Sequence, residues 1–204
     1  MKSFKVSSII AMAACVAVVS QAGAKEDHHQ HHAAPAAKKA ETAPLSDESI
    51  YNLNSVLLDA EGKTIKLEKL RGKPVVISMA YTSCAYTCPM ILAQMQQVEK
   101  KLAEMGKKDV RFVLVSFDPE KDTPEVLKAY AKKRNLSSQW DLLTAKSDKV
   151  PREIASVLGI KYSKVEGGDY DHSYIITVLD AEGVPSGRQV GASGDPKDLI
   201  KFIP

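Results

Sequence analysis

The chain has 204 residues, 44% of them apolar and 26% charged, with a formal net charge of +3. That is enough sequence for one ordinary hydrophobic core and short for two, and the apolar fraction excludes a wholly disordered chain. Three cysteines are too few for a disulfide scaffold, and 28 basic against 25 acidic residues leave no excess to support nucleic-acid binding.

Residues 1–24 read as a secretory signal peptide. Lys2 and Lys5 form the positive n-region, Val6 to Val19 the apolar stretch, and Ala22-Gly23-Ala24 an A-x-A cleavage site. Cleavage there leaves 180 residues and a net charge of +1. The competing reading is an uncleaved membrane anchor, since the uncharged run from Val6 to Ala24 is 19 residues, near the roughly 20 that span a bilayer. Polar Ser7, Ser8, Ser20 and Gln21 at its ends favour cleavage. Lipid attachment at Cys15 is a third reading. Export sends the protein to the periplasm or another non-cytosolic compartment, where neighbouring thiols oxidise readily. Cys15 leaves with a cleaved leader, so the mature chain keeps Cys84 and Cys88.

Residues 25–44 are rich in Ala, Lys, Glu and Pro, contain no aromatic side chain and show no helical or strand period, which predicts a disordered linker. Within it, His28-His29-Gln30-His31-His32 holds four of the five histidines in the chain. Such a tract suits loose capture of Cu, Zn or Ni, against the plainer alternatives of a solvated polar segment or a tag.

From residue 45 to 204 the punctuation is that of one folded domain. Asn54–Asp59 and Thr64–Leu67, joined through Ala60-Glu61-Gly62-Lys63, form an N-terminal β-hairpin. Pro74–Ala80 is a continuous apolar run, the mark of a buried central strand. After Pro89, residues Ile91, Leu92, Met95, Val98, Leu102 and Met105 recur at helical spacing up to Gly106. Arg111–Phe117 is a second strand, and Thr123-Pro124-Glu125 opens a helix with an N-cap and Pro at its first position. Its stripe is Val126, Leu127, Tyr130 and Ala131. A strand over Trp140–Leu143, a helix over Val150–Leu158, a strand over Tyr174–Leu179 and a last short helix opened by Asp195-Pro196 complete the series. Alternating strands and helices predict an α/β sandwich around a mixed sheet, with no internal repeat and no second domain.

The chemistry-bearing segment is Tyr81-Thr82-Ser83-Cys84-Ala85-Tyr86-Thr87-Cys88-Pro89-Met90, between a buried strand and an amphipathic helix, where open α/β sheets bind ligands. A helix N-terminus carries about half a positive charge, which favours thiolate at Cys88 and nearby Cys84. A thiolate is both a redox nucleophile and a metal ligand. The C-x-x-x-C spacing is one residue wider than the C-x-x-C of redox dithiols, which lets both sulfurs face one external atom. His172, the single histidine of the folded domain, stands in the polar loop Gly167–Ser173 that leads into the strand Tyr174–Leu179. If that strand neighbours the one ending at Tyr81, the imidazole joins the thiols, and two thiolates with one imidazole suit copper. Asp118 and Asp171 are further electrostatic contributors on the functional reading and turn or capping residues on the plain one. Met90 is a soft side chain nearby whose simpler role is local packing.

Three segments together resemble the Sco (SenC/PrrC) family of copper-binding proteins: Thr82–Pro89 with both cysteines, Ser116–Pro124, and Asp171-His172-Ser173. The resemblance runs in order from about Leu45 to Gly183. Ala85-Tyr86 stands where many members carry Pro followed by an acidic residue, and the stretch after Gly183 has no evident counterpart. The resemblance implies a thioredoxin-like fold, copper as Cu(I) or Cu(II) held by Cys84, Cys88 and His172, and no catalytic residues in the enzymatic sense. It also implies a metallochaperone role at the copper site of a respiratory cytochrome oxidase. The partner would then be the copper-accepting oxidase subunit, or another exported protein that handles copper or thiols.

Two other readings stand beside it. In a thiol–disulfide oxidoreductase or peroxide-handling enzyme, Cys84 attacks and Cys88 resolves, and the two form a redox disulfide. Thioredoxin-like oxidoreductases place a cis-proline beside the dithiol. Here no proline lies between Pro151 and Pro185, and His172 occupies that neighbourhood. In a plain interaction domain the two cysteines are incidental, which leaves their spacing beside one histidine unexplained.

Overall fold

The computed structural model describes residues 44–204. The leader, Cys15 and the His28–His32 tract lie outside the described residues. Among the described residues no helix is long and apolar enough to cross a membrane.

The expected N-terminal hairpin is strand β1 (Val56–Leu58) paired antiparallel with β2 (Thr64–Lys66). Its turn is fixed by Asp59, whose carboxylate accepts the Glu61 and Lys63 N–H groups at 3.0 and 2.8 Å. The apolar run at 75–80 is β3 (Val75–Ala80), buried at all six positions, as a strand covered on both faces must be. Helix α1 (Thr87–Glu104) buries Ile91, Leu92, Met95, Val98 and Leu102 in the predicted stripe. It starts two residues before Pro89, so the proline occupies the third helical position, where its missing N–H costs no helical hydrogen bond. Met105 falls beyond the last helical residue and is exposed.

Strand β4 (Arg111–Ser116), helix α2 (Pro124–Lys133, capped by Thr123), strand β5 (Trp140–Leu143) and helix α3 (Lys149–Leu158) follow as expected. Of the predicted α2 stripe only Leu127 is fully buried; Val126 is exposed. After α3 come β6 (Tyr162–Lys164), β7 (Tyr170–His172), β8 (Ile175–Leu179), β9 (Pro185–Val190) and the short helix α4 (Pro196–Ile200). Strands β6, β7 and β9 were not legible in the sequence. The first two are three residues long and mostly polar, and they pair only with each other. Strand β9 reads Pro-Ser-Gly-Arg-Gln-Val, without apolar alternation. Gly187 in it is required by packing: a Cβ there would meet the Phe202 ring at 2.0 Å.

The main sheet has five strands in the order β5-β4-β3-β8-β9. Strands β3, β4 and β5 run parallel and β8 and β9 are antiparallel to their neighbours, the mixed sheet anticipated above. The register between β3 and β8 decides where the histidine goes. Ser78 pairs with Ile176, so continuing that register sets Ala80 level with Tyr174 and Thr82 level with His172. Because the strands are antiparallel, the segment that enters β8 lies beside the segment that leaves β3.

Candidate metal centre

The C-terminal end of β3 delivers the chain into a loop that returns as α1. Tyr86 precedes the first helical residue and offers no side-chain cap. The Cys84 sulfur fills that role by accepting the Cys88 N–H at 3.3 Å. A helix start whose free N–H is met by sulfur both fixes the loop and favours negative charge on that sulfur. One residue upstream of Thr82, the Tyr81 N–H donates to the Cys88 sulfur at 3.4 Å. Both thiols are free, Cys84 partly exposed and Cys88 buried.

The opposite wall is the β6–β7 hairpin. His172 ends β7, in a strand rather than in the polar loop expected, and its Nδ1 lies 3.1 Å from the Ser173 carbonyl oxygen. A carbonyl only accepts, so Nδ1 carries the proton, and the lone pair of neutral Nε2 faces the Cys88 sulfur at 3.4 Å. Burial lowers the His172 pKa against the opposing pull of the Ser173 carbonyl and Asp171, which favours the neutral, ligating form of the ring.

The donor atoms of Cys84, Cys88 and His172 lie within 4.8 Å of one another. The pairing of β8 with β3, left open by the sequence, is therefore present, and it brings all three predicted residues together. No carboxylate belongs to the cluster. Asp171 is exposed at the surface of β7. Asp118 is buried, with Lys121 Nζ 3.7 Å from one carboxylate oxygen, and its backbone carbonyl accepts the Lys121 and Asp122 N–H groups in a turn. Met90 is half exposed on the first turns of α1.

The two thiols differ. Burial disfavours ionisation of Cys84, but the Cys88 and Tyr86 backbone N–H groups with the Cys88 and Tyr81 side chains outweigh it and hold its pKa below the ordinary thiol value. At Cys88 burial dominates and pushes the thiol up, with the neighbouring Cys84 and Asp122 adding to the rise. The helix N-terminus thus favours thiolate at Cys84 alone, whereas sequence suggested both. Burial thus favours the protonated thiol at Cys88, whose sulfur lies 3.4 Å from Nε2 of His172.

Three features around the cluster were not picked out from sequence. Tyr81, Phe117, Tyr162 and Tyr170 form an aromatic wall behind His172, with Phe117 5.0 Å and Tyr81 6.3 Å from the imidazole centroid. The Tyr81 hydroxyl accepts the Tyr170 N–H at 3.4 Å. Fully buried Asp122 accepts the Thr82 N–H at 3.0 Å and the Thr82 and Ser116 hydroxyls, and so ties the cysteine loop to the end of β4. The available signal was positional: Tyr81 and Thr82 flank the cysteines, and Ser116 and Asp122 lie within Ser116–Pro124.

Residues 46–203 match the SCO1/SenC family. The chain belongs to that family. Among its SCO1/SenC relatives, the SCO2-like protein of Rickettsia typhi is 32% identical over 120 residues, 59% of this chain and 57% of that protein. The SCO1 protein homolog of Bacillus subtilis is 38% identical over 96 residues, 47% of this chain and 49% of that one. The matched region thus spans about half the length of these two relatives. A SCO1/SenC family lipoprotein from Bacillus anthracis is 30% identical with a TM-score of 0.66, covering 72% of this chain and 88% of that one. Arabidopsis thaliana ScoI with copper bound is 26% identical with a TM-score of 0.65, covering 72% of this chain and 91% of that one. The expected thioredoxin-like fold and the Sco resemblance are both borne out.

Proposed function

We propose that this protein is an exported copper-binding metallochaperone, with Cys84, Cys88 and His172 as ligands, that serves assembly of the copper centre of a respiratory cytochrome oxidase. The observation that carries the reading is the convergence of two sulfurs and one unprotonated imidazole nitrogen within 4.8 Å. Thiolates select Cu(I) and imidazole accommodates Cu(II), so this donor set fits copper in either state. Structural neighbours from Arabidopsis thaliana and Bradyrhizobium japonicum have copper bound, the latter 25% identical with a TM-score of 0.61. Another neighbour, BsSco, 29% identical, is described as a member of the Sco family of cytochrome c oxidase assembly proteins. The ion is cargo, and the chain supplies a partly exposed thiolate, a buried thiol and a tautomer-fixed imidazole to receive it. Export through residues 1–24 places the carrier in the periplasm or an equivalent compartment, and a copper-accepting oxidase subunit is its client. The test is anaerobic copper titration of the reduced chain: one tightly bound ion with sulfur and nitrogen ligation supports the reading, and absence of thiolate ligation overturns it.

A second reading is thiol–disulfide exchange. It is favoured by the asymmetry between a partly exposed Cys84 of lowered pKa and a buried Cys88 of raised pKa, the pattern of an attacking and a resolving thiol. Against it, no cis peptide bond occurs among the described residues, and His172 stands beside the dithiol. Thiol turnover that survives His172→Ala would favour this second reading.

A further inference from the structure

The cluster is assembled from two elements that share no backbone hydrogen-bond ladder. The sulfurs belong to the loop after β3 and the first turn of α1, and the imidazole belongs to the β6–β7 hairpin, which pairs only with itself. A metal ion tolerates donor displacement of only a few tenths of an ångström, so something must fix the hairpin against the loop. Tyr81 touches both. Its backbone N–H donates to the Cys88 sulfur at 3.4 Å. Its hydroxyl accepts the Tyr170 N–H, two residues from His172 on β7, at 3.4 Å. Its ring meets Tyr170 edge-on at 5.3 Å and stands edge-on to the imidazole at 6.3 Å between centroids.

The hydroxyl is the specific part. It accepts the Tyr170 amide of the hairpin, while the backbone N–H of Tyr81 itself holds the Cys88 sulfur. One residue thus links a sulfur donor to the strand carrying the nitrogen donor. Tyr81 is buried, and Phe117 packs on its ring at 5.2 Å, so the oxygen is held in place by the core.

We propose that the Tyr81 hydroxyl is a strut that sets the spacing between the sulfur-bearing loop and the imidazole-bearing hairpin, and so tunes the metal site without being a ligand. The proposal rests on the reading of the cluster as a copper site. It makes Tyr81 a positioning residue: hydrogen bonds around a ligating sulfur alter its donation to the metal, and outer partners of ligands carry ten- to hundredfold effects on affinity.

The experiment compares wild type, Tyr81→Phe and, as a destabilised control away from the cluster, Gly187→Ala in the reduced chain. Copper affinity is read by chelator competition, the sulfur-to-copper charge-transfer band by absorption of the Cu(II) form, and Tyr170 amide exchange by NMR on metal-free protein. Y81F is expected to weaken copper binding about tenfold, about 1.4 kcal/mol, to shift the band, and to speed exchange of the Tyr170 amide. G187A is expected to lower the unfolding temperature without shifting the band. Unchanged affinity and band in Y81F overturn the strut, as does a band shift in G187A equal to that in Y81F. If Y81F does not fold, 4-aminophenylalanine at position 81 replaces it, since its amine keeps a donor and an acceptor: a folded protein with wild-type affinity and amide exchange supports the proposal, and one with wild-type stability but weakened copper binding and fast exchange overturns it. Failure of the copper reading is distinct, because the wild type itself would then show no thiolate-to-copper band.

Discussion

The sulfur of Cys88 lies 3.4 Å from Nε2 of His172, across 84 residues of sequence. The contact is a product of strand direction: β8 runs antiparallel to β3, so what enters the one lies beside what leaves the other.

Removing the imidazole separates metal binding from thiol chemistry. His172→Ala is expected to weaken copper binding at least a hundredfold while the Cys84–Cys88 disulfide still forms, since backbone N–H groups of Tyr81 and Cys88 also hold the two sulfurs. Chelator competition and thiol counting after mild oxidation check this. Unchanged copper affinity would refute the three-ligand site.

The two cysteines should be told apart by alkylation. Hydrogen-bond donors hold the Cys84 pKa below the ordinary thiol value despite its burial, whereas burial pushes Cys88 upward. In reduced, metal-free protein, iodoacetamide should therefore modify Cys84 first, with a rate that rises through a pH below the usual thiol range. Cys88 should stay protected until the protein unfolds. Peptide mass spectrometry across a pH series reads both, and equal rates would contradict the assigned asymmetry.

Asp122 should be costly to remove. Asp122→Ala strips the acceptor from one backbone N–H and two hydroxyls, all held by one buried carboxylate, and is expected to cost about 2–4 kcal/mol. Asp122→Asn keeps one acceptor and should cost less. Burial raises the Asp122 pKa, although the Ser116 and Thr82 donors oppose the rise. The native state therefore binds this proton more readily than the unfolded chain. The stability it contributes is full below the ordinary carboxylate pKa and is lost as pH rises through the raised native value. Urea denaturation of wild type and D122N at several pH values should show their difference moving in that direction.

The sequence of the sheet was readable where burial was complete. Strand β3 announced itself because six consecutive buried positions demand an unbroken apolar run, and α1 because its stripe at 91, 92, 95, 98 and 102 is regular. The site residues were readable because Cys84, Cys88 and His172 are rare types in suggestive places. Strand β9 was not readable, since an edge strand whose Gly187 makes room for Phe202 carries no alternation. The β6–β7 hairpin was missed for a related reason: its strands are short, and their packing on Phe117 is set by tertiary contact. The thiolate preference was half right, because helix polarity is local knowledge whereas the burial of Cys88 depends on the whole fold.

Gly187→Ala tests that account of β9. A Cβ at this position would stand 2.0 Å from the Phe202 ring, so the C-terminal segment must shift, at about 1–3 kcal/mol. Gly187 pairs with Val178, at the end of β8 away from the metal cluster. Thermal unfolding should fall while copper affinity holds.

Deleting His28 to His32 should leave tight copper binding intact, with at most a loss of weak additional binding. Titration of the truncated chain checks this, and loss of the tight ion would overturn the separation of tract from site.

The span of sequence between sulfur and imidazole has a thermodynamic corollary. An unfolded chain holds the imidazole 84 residues from the Cys88 sulfur and leaves an ion only the two neighbouring thiols, so the ion binds the native form more tightly. Each tenfold excess of free ion over its dissociation constant then adds up to about 1.4 kcal/mol to the resistance against unfolding, less whatever the two thiols bind in the unfolded chain. The metal-bound form is thus the one that resists unfolding most, and loss of the ion returns the chain to its weakest form.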